Sequence, residues 1–156
     1  MISPEIFRRY PFFTPFTEKD LQEIAMFSEE ISVEEGLTLF EEKGVADTLY
    51  LLLNGVIDLY FKSEEEFHPK GCKEFYVGCI NPGEICAISA IMEPNILTAT
   101  ARVSKASQVV KIDAKKICSL LSQDPELGFS VFQQVIKVLY QRLTDTRVQL
   151  AACLVE

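Results

Sequence analysis

Between Ile31 and Asp113 the chain is cut by turn signals at Gly36, Gly44, Asn54-Gly55, Lys70-Gly71 and Pro82-Gly83. The runs between them are short and rich in β-branched and aromatic residues. Several short strands at such spacing close into a sandwich or a barrel. The expected fold is therefore mainly β with flanking helices. A β-roll spans 31–113, with a helical segment over 1–30 before it and helices over 114–156 after it, all within one domain. In TLYLLLNGVIDLYF, Asn54-Gly55 reads as a hairpin turn, because a type I′ turn needs two positive-φ residues. In LTATARVS, Leu97, Ala99, Ala101 and Val103 alternate with Thr98, Thr100, Arg102 and Ser104, the pattern of a half-buried strand.

The helices carry their own start signals. Thr17 with Asp20 forms a capping box ahead of Leu21, Ile24 and Ala25, which share one face. Asp113 caps AKKICSLL, and Asp124-Pro125-Glu126 opens a last helix that runs to Leu154. About 29 residues reach ~43 Å at 1.5 Å per residue. Along it Phe132, Ile136, Leu139, Leu143, Thr146, Leu150 and Cys153 alternate spacings of four and three, the period of a coiled-coil seam. Val131, Val135 and Val138 make a second stripe beside it. One stripe is expected to pack on the chain's own body and the other on a second copy, giving a homodimer.

Composition narrows the function. The chain has 156 residues, 23 acidic and 15 basic side chains and a net charge of -8. Such a chain repels phosphate backbones and anionic lipid, so neither nucleic acid nor a membrane is an expected partner. No run approaches the ~20 apolar residues of a membrane span. The N-terminus lacks a secretory layout, and Cys72, Cys79, Cys86, Cys118 and Cys153 include no CxxC, so reduced cytoplasmic thiols are expected. His68 falls in a charged loop, and Glu64, Glu65 and Glu66 lack the spacing of a calcium site. No metal, no cofactor and no enzymatic activity are expected.

The order of elements acquires a family likeness through specific residues. Gly36, Glu42-Lys43-Gly44, Ala46-Asp47-Thr48-Leu49-Tyr50 and Gly55-Val56-Ile57-Asp58-Leu59-Tyr60 occur in the order of recurring motifs, between PFFTPFTEKDLQEIA and KIDAKKICSLLSQDPEL. The chain resembles the cyclic nucleotide-binding domain superfamily, most closely the effector domain of the catabolite activator (cyclic AMP receptor) type. The resemblance implies a double-stranded β-helix, jelly-roll-like, with a long C-terminal dimerisation helix and a regulatory, ligand-sensing role. Relatives that regulate transcription carry a winged helix-turn-helix after that helix. This chain ends at Glu156, so no DNA-binding domain is expected.

The resemblance also places a phosphate-binding cassette in PGEICAISAIMEPNILTAT, residues 82–100. The implied pocket comprises Ile85, Cys86, Ala87, Ile88, Ser89, Ala90, Leu97, Thr98 and Ala99. In the family a glycine-glutamate pair holds the ribose and an arginine clamps the cyclic phosphate; here those slots hold Ala87, Ile88 and Leu97. Two charge-assisted contacts of roughly 1.5–3 kcal/mol each are absent, so affinity in the usual pose should fall on the order of a thousandfold. Arg102 is the nearest cation in sequence, but odd spacing from Leu97 turns it to the other face. Backbone N–H groups near Ser89, Ala90 and Thr98 remain able to cradle an anion or a neutral oxygen. A hydroxyl on the long helix, Thr144 or Thr146, stands where the family contacts the purine; at Thr146 a polar seam position fixing register is the competing reading. Three expectations stay open: a sensor of another small ligand or a protein partner, a cyclic-nucleotide receptor with an altered pose, and a scaffold with a filled pocket.

Overall fold

The computed structural model describes residues 2–63 and 73–155. His68, Glu64, Glu65, Glu66, Cys72 and the Lys70-Gly71 turn lie outside the described residues. A short helix α1 (Glu5–Arg8) and a 3-10 turn (Pro11–Phe13) lead into α2 (Glu18–Met26). Six antiparallel strands follow: β1 (Ser28–Val33), β2 (Thr38–Phe40), β3 (Thr48–Ser63), β4 (Lys73–Ile80), β5 (Ile85–Cys86) and β6 (Thr100–Asp113). Helices α3 (Ala114–Gln123) and α4 (Pro125–Leu154) complete the order. This is the expected β-roll with flanking helices. The caps stand where the residues place them: Thr17 and Asp20 exchange bonds, Asp113 accepts from Lys116 N, and Asp124 accepts from Leu127 N.

Strands β3 and β6 form the spine. β6 pairs with β1, β2 and β3, while β3 also pairs with β4 and β5. Alternation along them sorts side chains into two cores. Leu49, Leu51, Ile85, Val110 and Ile112 face the helices and join Phe7, Phe12, Phe13, Ile117, Val131 and Val135. Tyr50, Leu52, Ile57, Cys86, Val103 and Val109 fill the inside of the roll.

One expectation fails. Asn54-Gly55 is not a hairpin turn, because β3 runs through it and stays paired with β6 on both sides. The register shifts at Leu52/Asn54 and again at Asn54/Val56, the signature of bulges that bend a strand. Gly55 has φ +103, and a Cβ there would sit 2.7 Å from Ser107 Cα. Glycine thus serves a close approach between strands, where Val56 N donates to Ser107 Oγ at 3.2 Å. The antiparallel neighbour of β3 across residues 64–72 is β4 instead. The alternation read in LTATARVS also holds only in part. Residues 97–99 precede β6, and Thr100 is buried rather than outward because its Oγ1 accepts from Glu42 N at 3.0 Å.

Candidate ligand site

The cassette lies between β5 and β6 and contains a 3-10 turn, Ile88–Ile91. Ala87 adopts φ 64, ψ 42, a left-handed conformation that costs an L-residue roughly 1–2 kcal/mol. This is the slot the resemblance assigns to glycine, a residue that adopts such a conformation without that cost. The loop is tied internally. Asn95, itself at φ 59, points its Nδ2 at the carbonyls of Ser89, Ala90 and Met92 at 3.0–3.1 Å. Its backbone accepts from Ala46 N at 2.8 Å. Leu97 is clamped to the Glu42-Lys43-Gly44 turn by Lys43 N donating to Leu97 O at 2.8 Å and Leu97 N donating to Gly44 O at 2.9 Å. Sequence reasoning did not foresee the role of this asparagine amide.

The two slots that resemblance makes ionic are closed by packing. Ile88 is 8 % exposed and belongs to the helix-side core. Leu97 is 7 % exposed and packs with Ala46, Ala90 and Ala114. Ile85, Cys86 and Ala90 are buried as well, Ala87, Ser89 and Ala99 are half-buried, and Thr98 is exposed. Burial pushes the Cys86 thiol up to about 12; the nearby Arg142 charge opposes this and Glu84 adds to it. A thiolate at Cys86 is thereby suppressed. Tyr50, inside the roll, is raised above its ordinary value, first by burial and then by Cys86 and Asp47.

Arg102 lies on β6, while the spacing that turned it from Leu97 fails because residues 97–99 precede that strand; it is also more than a solvated surface group. Its Nη1 meets Glu74 Oε2 at 2.7 Å and its guanidinium lies 4.9 Å from the Tyr60 ring centroid. Thr144 and Thr146 donate their hydroxyls to the helix carbonyls of Tyr140 and Arg142, at 3.0 and 2.8 Å. Arg142 on α4 reaches the cassette's edge. Its Nη2 donates to the Ile85 carbonyl at 3.3 Å. A signal was available: the valine stripe 131, 135, 138, extended one more step, lands on 142.

The stripe division of α4 is visible in burial. Val131 and Val135 are buried and Val138 packs on the same core. Phe132, Ile136, Leu139, Leu143 and Leu150 are exposed, Ile136 to 63 %, as is Cys153. Among the described residues no helix is long and apolar enough to cross a membrane, and no group of three or more His, Cys, Asp or Glu could hold a metal ion.

The architecture is a β-roll with the cassette between β5 and β6 and a long C-terminal helix after it. The cyclic nucleotide-binding domain model matches residues 30–124, and the chain belongs to that family. A protein from Geobacter metallireducens GS-15, named for cyclic nucleotide binding, is 33% identical with TM-score 0.79 over 92% of this chain and 99% of that one. The sensor domain of the transcriptional regulator DNR from Pseudomonas aeruginosa is 19% identical with TM-score 0.72, over 90% of this chain and 95% of its own. The catabolite activator protein of Thermus thermophilus is 16% identical with TM-score 0.67, over 92% of this chain and 62% of its own. The last two share the fold. A search of curated proteins finds no match.

Proposed function

We propose that this chain is a non-catalytic regulatory module whose cassette does not seat a cyclic nucleotide in the usual pose, and which works as a homodimer through the outer face of α4. The observation that carries the first part is the burial of Ile88 and Leu97 in two separate apolar clusters. A carboxylate and a guanidinium have no place there, and a cyclic phosphate entering alone would shed water without a counter-ion. The exposed seam on α4 supports the second part. An apolar stripe of heptad spacing on a 30-residue helix fits a second copy of itself. The free cysteines among the described residues fit a reducing, cytoplasmic setting.

Calorimetric titration with cyclic AMP and cyclic GMP tests the cassette reading. Millimolar or weaker binding is expected, and micromolar binding to either nucleotide overturns it. A filled-pocket scaffold is the second reading, favoured by the Asn95 amide, which closes the loop on itself. It predicts that a thermal-shift screen of nucleotides, lipids and metabolites finds no stabilising compound.

A further inference from the structure

A cleft of about 530 Å³ opens at the end of the roll where β1 and β3 begin, β6 ends and α3 starts. None of its lining residues comes from the cassette, and its volume falls within the roughly 300–1,000 Å³ of small-molecule pockets. Backbone bonds tie its walls: Asp113 N donates to Phe27 O at 3.3 Å and Ala114 N to Asp47 O at 3.1 Å. Half-buried Phe27 and fully buried Ile112 give the cleft an apolar side. Groups of both signs line it beside them, Lys111 and Lys115 together with Glu29 and Asp47. Glu29 and Lys111 are direct antiparallel partners on β1 and β6, a placement that favours contact between opposite charges. Yet they form no ion pair, and among the described residues neither Lys111 nor Lys115 has one. Asp113, also at the rim, is committed to capping α3 through Lys116 N. Asp47 accepts from the Thr48 hydroxyl with one oxygen, at 3.0 Å, which leaves the other for a ligand. An anion alone in this cleft would meet the carboxylates, and a cation alone the lysines. A molecule carrying both charges answers both at once.

We propose that this cleft binds a small zwitterion on an apolar body, an α-amino acid with an aromatic or branched side chain. Its carboxylate meets Lys111 and Lys115, its ammonium meets Glu29 and Asp47, and its side chain rests on Phe27 and Ile112. The site is separate from the cassette and from the outer face of α4, so it stands whether or not a cyclic nucleotide binds.

The test titrates the full chain with phenylalanine, with 3-phenylpropanoate, which lacks the ammonium, and with 2-phenylethylamine, which lacks the carboxylate. Amide NMR shifts report affinity and position together. Phenylalanine should saturate with a Kd below about 1 mM, and each analogue should bind at least about fivefold more weakly. The shifts should centre on residues 27–29, 47–48 and 111–115. Lys111→Gln with Lys115→Gln should weaken phenylalanine about fivefold while 2-phenylethylamine binds no more weakly. Glu29→Gln with Asp47→Asn should do the same to phenylalanine while sparing 3-phenylpropanoate. Both double variants should melt within a few degrees of wild type. Absence of saturable phenylalanine binding, equal affinity for the three ligands, shifts centred on residues 85–99, or phenylalanine affinity unchanged in both variants overturns the proposal.

Discussion

In the cassette, Ile85, Ile88, Ile91 and Leu97 are all turned inward, none more than 8 % exposed. Along the outer face of α4, Phe132, Ile136, Leu139 and Leu143 are aliphatic or aromatic too, and none is less than 41 % exposed. The two regions use the same chemistry to opposite ends. The cassette packs its apolar groups into the chain's own cores. The helix leaves its groups unpartnered, at roughly 25 cal/mol per Å² of apolar surface still in water. Closure marks the first region and exposure the second.

Introducing charge into each region separates them most sharply. Leu97→Asp should bury a carboxylate among Ala46, Ala90 and Ala114 and cost about 3 kcal/mol or more of stability, read as a lower urea midpoint. A stability within experimental error of wild type would mean the cassette is open. Ile136→Asp with Leu139→Asp should leave the urea midpoint of the dilute monomer nearly unchanged. Sedimentation should show dimer affinity lowered on the order of a hundredfold or more, since each lost contact counts on both subunits. An unaltered sedimentation profile would remove the seam from the interface.

The cysteines sharpen the contrast further. In a parallel dimer the exposed Cys153 meets its counterpart on the seam. Mild oxidation should therefore yield a covalent dimer that Cys153→Ser abolishes, while native Cys86 resists alkylation at pH 8. Cross-linking that persists in Cys153→Ser would refute the parallel register. The smallest effect is in alkaline stability. The folded Cys86 thiol titrates at about 12, above the ~8.5 of an unfolded cysteine. The unfolded chain gives up this proton first, so stability falls as pH rises from about 9 toward 12. Cys86→Ala should flatten that alkaline limb in urea titrations; an unchanged slope would mean that Cys86 is not shielded.

Much of this was legible in the sequence because it is local. Thr17, Asp113 and Asp124 cap helices by reaching three residues along the chain, and the seam is a periodicity within one helix. The sequence also shows directly that no basic residue lies between Pro82 and Arg102. Tertiary structure decided what each face meets. Asn54-Gly55 is a bulge and not a turn because β6 runs beside both halves of β3, a fact no window around residue 54 contains. Arg142 meets Ile85 across 57 residues. The period of a helix says which side chains travel together, while only the packed chain determines which backbone carbonyl awaits them.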